Sequence, residues 1–84
     1  MNIVYASKFK KSLKKLPNFL VEKVVEKIIL FENNFSHPSL DAHKLHGRLK
    51  NQWSFSIDKK HRVLFEFDQD NVILLDVGDY DVYK

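Results

Sequence analysis

The chain has 84 residues, a formal net charge of +3 and no cysteine. This length allows one small domain, and the lack of cysteine excludes disulfides, thiolate zinc sites and cysteine nucleophiles. Hydrophobic residues make up 44% of the chain, with seven Phe, three Tyr and one Trp, which argues against intrinsic disorder. The sequence shows neither a basic leader nor an apolar run of membrane-helix length, so we expect a cytoplasmic protein.

The charge is distributed unevenly along the chain. Residues 1–62 carry 13 Lys or Arg against five Asp or Glu, whereas residues 63–84 carry one against six. The basic part predicts a polyanion or an acidic protein as partner. The alternative interpretation is that both parts are ordinary solvated surface.

The first half of the chain predicts a strand followed by a helical hairpin. Residues 3–5 are β-branched and aromatic, which favours a strand, and Ser7 offers an N-cap for a first helix. Pro17 suits the start of a second helix, which Asn33 and Asn34 end. Each helix has an apolar stripe at helical spacing: Phe9, Leu13 and Leu16 on the first, and Leu20, Val21, Val24, Val25, Ile28 and Phe31 on the second.

The second half predicts three strands. Residues 33–42 are interpreted as a loop and residues 43–51 as a polar segment, after which apolar residues alternate with polar ones. Turn-forming residues at 58–60 and 68–71 join the strands into a meander, and the apolar run at 72–77 is typical of a central strand. The predicted order is β-α-α-β-β-β. This is an α+β fold in which an N-terminal helical hairpin packs on an antiparallel-rich sheet, as one domain over residues 1–84.

Strand alternation predicts which side chains share a face of this sheet. The set expected under the helices comprises Trp53, Phe55, Ile57, Val63, Phe65 and Phe67. Arg62 would then lie on the opposite, open face together with Ser54 and Ser56, in a groove suited to a phosphodiester backbone. The alternative for Arg62 is a structural ion pair with Glu66 or Asp76.

Five short segments together carry a family resemblance. They are HKLHGRL at 43–49, WSFSI at 53–57, HRVLF at 61–65, LLDVG at 74–78 and YDVY at 80–83. Their order and spacing resemble the RelE/ParE toxin superfamily, in particular its RelE/YafQ-like branch, in which an H-x-L-x-G segment precedes an arginine-bearing strand and a G-x-H-x-x-Y/F ending. Here His61 replaces the Tyr or Phe that precedes the arginine in these toxins.

The resemblance implies the toxin of a type II toxin–antitoxin system that cleaves mRNA in the ribosomal decoding site. It also implies a proteic antitoxin that wraps and silences the toxin, with operator DNA bound through the antitoxin complex. The chemistry needs no cofactor or metal, because the ribose 2′-hydroxyl attacks the adjacent phosphate while a base, a cation and an acid assist. We expect no membrane partner.

Arg62 is the first candidate catalytic residue, because a guanidinium binds two phosphate oxygens at once. His43 is the candidate for proton transfer, since imidazole titrates near neutrality, and it holds the first position of the H-x-L-x-G segment. The candidate RNA- and phosphate-binding residues are His46, Lys44, Arg48 and Lys50. A metal at the H-x-x-H pair is disfavoured because no further ligand accompanies it. His61 is interpreted as a strand-edge histidine that faces the helices, and Trp53 as a core residue.

The C-terminal segment departs from the family pattern. Tyr80 stands where many relatives have the catalytic histidine, and a phenol with an ordinary pKa near 10 is a poor base at neutral pH. Tyr83, at the terminal aromatic position, is the further candidate for proton transfer or base stacking. Three alternatives stay open: a weak or inactive binding protein of this family, a ParE-like gyrase inhibitor, and an unrelated basic RNA-binding domain.

Overall fold

The N-terminal strand leads directly into the helical hairpin. The computed structural model describes residues 2–47 and 51–79. Strand β1 (Asn2–Tyr5) precedes helix α1 (Ser7–Lys14), and helix α2 (Asn18–Asn33) follows a short turn. The strand and both helices confirm the sequence prediction.

The start of α1 corrects one detail of that prediction. Ser7 is the first helical residue and not the N-cap; Ala6 holds the cap position without a side-chain hydrogen bond. The reason is that the Ala6 N–H still donates to Leu74 O at 3.0 Å, which extends the pairing of β1, while Ala6 O already accepts the first helical bond from Lys10. Ala6 is therefore both the last residue of the strand pairing and the N-cap of α1, which leaves Ser7 as the first helical residue. Pro17 caps α2 in the same extended conformation.

The remaining strands complete a five-stranded mixed sheet. They are β2 (His43–Lys44), β3 (Trp53–Ser56), β4 (Arg62–Asp68) and β5 (Asn71–Gly78). The sheet order is β1-β5-β4-β3-β2, with β1 parallel to β5 and the other neighbours antiparallel. The predicted meander of β3, β4 and β5 and the interior position of β5 are confirmed. The sequence did not predict β2 or the 3-10 helix at Pro38–Leu40.

The core lies between the helical hairpin and one face of the sheet. Phe31 of α2 is fully buried there and stacks on Phe55 of β3 at a centroid distance of 4.7 Å. The other buried members of this core are Phe9, Leu20, Val24, Ile28, Leu40, Ile57, Val63, Phe65, Val72, Leu74 and Val77. Trp53 packs against the same core. Phe67 is 42% exposed, so its predicted burial under the helices is wrong, although its ring contacts Trp53 edge-on.

Within residues 2–47 and 51–79, neither helix has the length and apolar character needed to cross a membrane.

Candidate functional site

Arg62 lies at the first position of β4, directly opposite Gly78 at the last position of β5. Its Nε donates a hydrogen bond to the hydroxyl oxygen of Ser54 at 2.9 Å, which confirms that the two residues share one face of the sheet. Ser54 is fully buried, and the Arg62 side chain is 15% exposed. The face is therefore covered at this point, where the sequence predicted an open surface, and a buried hydroxyl holds the orientation of the guanidinium.

The covering segment is the loop that precedes β2. The Nη2 atom of Arg62 donates to the backbone oxygen of Asp41 at 2.8 Å, and Nη1 lies 3.4 Å from Asp41 Oδ2. The Asp41 side chain is 71% exposed, and ion pairs in water-exposed positions contribute little stability. Asp41 is therefore the acid that pairs with Arg62, where the sequence suggested Glu66 or Asp76, and its carboxylate faces solvent.

His43 lies beside this arginine. It pairs with Ser54 across the β2–β3 ladder, and its imidazole Nδ1 is 2.9 Å from Asp41 O and 3.4 Å from Arg62 Nη2. A carbonyl oxygen only accepts hydrogen bonds, so the contact with Asp41 O is a hydrogen bond only when Nδ1 carries the proton. In the neutral imidazole the lone pair is then on Nε2. The side chain is 49% exposed, so a cation and a base stand side by side at the edge of the sheet.

Of the other predicted phosphate-binding residues, Lys44 and His46 are among those that the structure describes. Lys44 pairs with Trp53 and follows His43 in the strand, so alternation directs it to the opposite face. His46 is exposed beyond the end of β2. Arg48, Lys50, Tyr80 and Tyr83 lie outside the described residues, and their roles stay predictions.

Gly47 has a structural reason for its place in the H-x-L-x-G segment. Its φ is +74°, and among the described residues, apart from its neighbours in the chain, no atom lies within 4 Å of the position that a Cβ would take. The backbone conformation, and not the available space, favours glycine here.

His61 forms a second polar pair, with Asp58 in the turn between β3 and β4. The Asp58 Oδ1 atom accepts from the backbone N–H groups of Lys60 and His61, both at 2.8 Å, and lies 2.9 Å from His61 Nδ1. Burial raises the pKa of the Asp58 carboxyl, but these hydrogen bonds outweigh it, so the pKa lies below its ordinary value. His61 is thereby fixed at the turn and lines a cleft against α1 and β5, which agrees with its predicted orientation toward the helices.

Asp76 belongs to this same cleft. It is buried and accepts from the Ser12 hydroxyl at 2.5 Å and from the backbone N–H of Val77 at 2.9 Å, while Lys8 lies 3.4 Å away. Asp76 therefore ties α1 to β5. In the described part of the chain, no group of three or more His, Asp or Glu side chains is arranged to hold a metal ion.

Sequence reasoning missed Asp41, and it placed Asp58 in a turn without predicting its pairing with His61. Asp58 had a usable signal, since an aspartate two and three residues before exposed N–H groups commonly closes a turn through its side chain. Asp41 had none, because its backbone oxygen makes the shortest contact with Arg62 and a backbone atom has no sequence signature.

Comparison with known proteins assigns the chain to one class. Residues 3–80 match the family model described as the ParE toxin of the type II toxin–antitoxin system parDE. The protein is therefore a toxin of the type II class. The chain belongs to the ParE toxin family, within the RelE/ParE superfamily that the sequence motifs indicated.

Solved structures agree with this assignment at the level of the fold. YafQ from E. coli strain BL21(DE3) superposes with a TM-score of 0.82 at 15% identity, covering 98% of this chain and 96% of that chain. The toxin–antitoxin complex RelBE2 from Mycobacterium tuberculosis gives 0.76 at 21% identity, covering 93% and 95%. The E. coli DinJ-YafQ toxin–antitoxin complex gives 0.78 at 15% identity, covering 96% and 93%. No curated protein is significantly similar to the chain in sequence.

Proposed function

We propose that this toxin is a metal-independent endoribonuclease that cleaves mRNA on the ribosome and is neutralised by a cognate antitoxin. The observation that carries the proposal is the adjacency of Arg62 and His43, whose Nη2 and Nδ1 atoms are 3.4 Å apart. Phosphodiester cleavage by the 2′-hydroxyl needs a cation at the phosphoryl oxygens and a base at the attacking oxygen. These two side chains are of the required types.

The proposed role of each side chain follows from the hydrogen bonds that it already makes in the protein. His43 Nε2 takes the proton of the 2′-hydroxyl, the oxygen attacks the adjacent phosphorus, and the bond to the 5′-oxygen breaks. A phosphoryl oxygen replaces the carboxylate of Asp41 at Arg62 Nη1. The guanidinium then stabilises the negative charge on the phosphoryl oxygens. Tyr80 or Tyr83 supplies the proton to the leaving 5′-oxygen.

Other residues of the same segment are assigned to binding the rest of the RNA chain. They are Lys44, His46, Arg48 and Lys50, which follow or overlap β2. Lys44 would contact a phosphate away from the scissile bond, since it lies on the opposite face from His43. The overall positive charge of the chain supports binding to the ribosome and its mRNA. We place this activity in the cytoplasm and in one domain, without a cofactor.

Induction of the toxin in bacteria, followed by mapping of mRNA 5′ ends, tests the nuclease proposal. Codon-phased cuts are expected for the wild type and should disappear in Arg62→Ala. The control is Lys23→Ala, which removes an exposed cation from α2 and should leave the cuts unchanged. Growth arrest that persists undiminished in Arg62→Ala would contradict the assigned site.

An apolar groove between α1 and α2 is the surface that we assign to the antitoxin. It encloses about 160 Å³ and is lined by Tyr5, Phe9, Leu13, Val24, Val25, Ile28, Ile29 and Glu32. Two of these apolar side chains on α2, Val25 and Ile29, are 47% and 54% exposed. Exposed Lys10, Lys11 and Lys14 on α1 add positive charge, so the groove suits an amphipathic segment with acidic flanks. The toxin–antitoxin complexes of RelBE2 and DinJ-YafQ support a partner of this kind.

Co-purification with the product of the adjacent gene tests the assigned surface. Ile29→Lys should abolish the complex because it places a charge in the apolar groove. Phe19→Lys is the matched control, since Phe19 is equally apolar, is 64% exposed on the same helix and does not line the groove. Equal binding of both variants would exclude the groove as the antitoxin surface. In the bound state the toxin would reach operator DNA through the antitoxin complex.

A gyrase inhibitor is the second candidate, because the matching family model is that of the ParE toxin. A catalytically weak binding protein is the third, because Tyr80 replaces the histidine of related toxins. Supercoiling by purified gyrase and translation by purified ribosomes, each with added toxin, separate the first two functions. Tyr80→His separates the third: a large gain in growth arrest would indicate a degenerate nuclease site.

A further inference from the structure

Asp41 has a backbone conformation that is uncommon for a residue with a side chain. Its φ and ψ are 45° and 46°, in the left-handed region, where it ends the 3-10 helix at Pro38–Leu40. Its N–H donates to Pro38 O at 3.1 Å. Residues held in this region cost free energy and persist when the surrounding structure imposes them, often at functional sites. The conformation therefore requires a reason beyond the chain reversal.

The reason is the direction in which it points the carbonyl oxygen. Asp41 O accepts from Arg62 Nη2 at 2.8 Å and lies 2.9 Å from His43 Nδ1. Both groups direct an N–H toward the same oxygen, so the 3.4 Å between the two nitrogens is the spacing of two donors that share one acceptor. One backbone atom thus fixes the separation of the guanidinium and the imidazole.

The shared acceptor also determines the tautomer of His43. Because Nδ1 donates to a carbonyl, the neutral ring has its lone pair on Nε2, the nitrogen directed away from Asp41 O. Rotation of the Asp41 peptide would release Nδ1, and either tautomer would then form. The base in the proposed reaction would lose both its orientation and its defined lone pair.

We propose that Asp41 is a positioning residue whose left-handed carbonyl holds Arg62 and His43 together and fixes the proton of His43 on Nδ1. The proposal rests on the proposed nuclease function for its catalytic meaning, but its structural content is testable without RNA. The function resides in the backbone oxygen, and the carboxylate is dispensable. Substitutions at this position should therefore be ranked by backbone preference and not by charge.

The direct test is nitrogen-15 NMR of the histidine side chains in the full chain. Spectra are recorded at increasing pH until the ring signals no longer change, because the two nitrogens of a neutral imidazole have distinct shifts. The His43 signals are assigned by their loss in His43→Gln. We expect a protonated Nδ1 and an unprotonated Nε2 in the wild type. A wild-type spectrum with the proton on Nε2, or an average of both forms, would overturn the proposal without any variant.

Three substitutions separate the carbonyl from the carboxylate. Asp41→Gly and Asp41→Asn both tolerate the left-handed region, whereas the β-branched side chain of Asp41→Val disfavours it strongly. We expect the Nδ1-protonated form to survive in the Gly and Asn variants and to be lost in the Val variant. Loss of this tautomer in Asp41→Asn would show that the carboxylate holds His43, and that result would refute the proposal even if Asp41→Val failed to fold.

Cleavage assays then connect the position to catalysis. A displacement of about 1 Å in such a site costs about 10²-fold in rate, so Asp41→Val should cleave RNA about 10²-fold more slowly than Asp41→Asn. If no variant, including the wild type, cleaves RNA while the tautomers behave as expected, the nuclease function fails and the positioning role stands. If the wild type cleaves RNA and Asp41→Val, folded by circular dichroism, cleaves equally fast, the positioning role fails.

Discussion

Replacement of Phe31 by alanine tests how the helical hairpin is attached to the sheet. The Phe31 ring is fully buried, stacks on Phe55 at 4.7 Å and meets Phe65 edge-on at 4.9 Å. Truncation of a fully buried phenylalanine costs about 3–5 kcal/mol, because burial is lost and a cavity remains. A chain of 84 residues has a total stability of about 4–13 kcal/mol, from about 0.05–0.15 kcal/mol per residue. Phe31→Ala therefore removes a large share of the free energy of unfolding.

The measurement is thermal and urea unfolding of the purified toxin. In a domain of this size each kcal/mol corresponds to about 4–8 °C in Tm, so Phe31→Ala should lower Tm by at least about 12 °C. Phe19→Ala is the control, because the same truncation on the same helix removes a ring that is already 64% exposed. It should change the free energy of unfolding by no more than about 0.5 kcal/mol. Equal losses in the two variants would refute the assignment of α2's core face.

Three further predictions concern stability. Asp58→Asn should lower Tm at neutral pH. The pKa of Asp58 in the folded state lies below its ordinary value of 3.8. The stabilisation by its carboxylate is therefore complete above pH 3.8 and is lost as the pH falls through the folded pKa. The difference in Tm between wild type and variant should therefore shrink in acid, and a difference that is constant down to pH ~2 would contradict the assigned hydrogen bonds. Ser54→Ala should lower the free energy of urea unfolding by about 1.5–3 kcal/mol, because it removes the acceptor of a charged donor. In an Arg62→Ala background the loss should be smaller, and an unchanged loss would show that Ser54 acts through other contacts. Gln69→Gly should raise Tm, since Gln69 has a φ of 57° in the β4–β5 turn. Relief of this conformation yields about 0.5–1 kcal/mol after the entropic cost of glycine, which corresponds to about 2–8 °C in Tm. A lower Tm would mean that the Gln69 side chain stabilises the turn.

The parts of the fold that the sequence predicted are those encoded by local periodicity. The stripe on α2 and the alternation around Arg62 each involve neighbours in the chain, so the pattern directly gives the face. Strand β2 has two residues, too few for alternation to be visible. The parallel pairing of β1 with β5 joins Asn2 to Asn71, and no local pattern specifies a partner at that separation.

The sequence indicated candidate side chains for the site, but it did not indicate the backbone oxygen that lies between two of them. Arg62 and Ser54 were expected on one face of the sheet from strand alternation, and their hydrogen bond agrees. His43 was a candidate from the family motif alone, and its Nδ1 lies 3.4 Å from Arg62 Nη2. The carbonyl oxygen of Asp41 contacts both Arg62 and His43. The sequence therefore indicated the side chains, while the atom that sets their separation required the folded chain.

The place of β1 in the sheet has a consequence for how the toxin is made. Residues 2–5 hydrogen-bond to residues 71–74, so β1 can take its place in the sheet only after β5 has been synthesised. Contacts so distant along the chain slow folding, because a long loop must close before they form. The parallel pairing of β1 is therefore expected to form later than the pairing of β4 with β5, whose residues are neighbours along the chain.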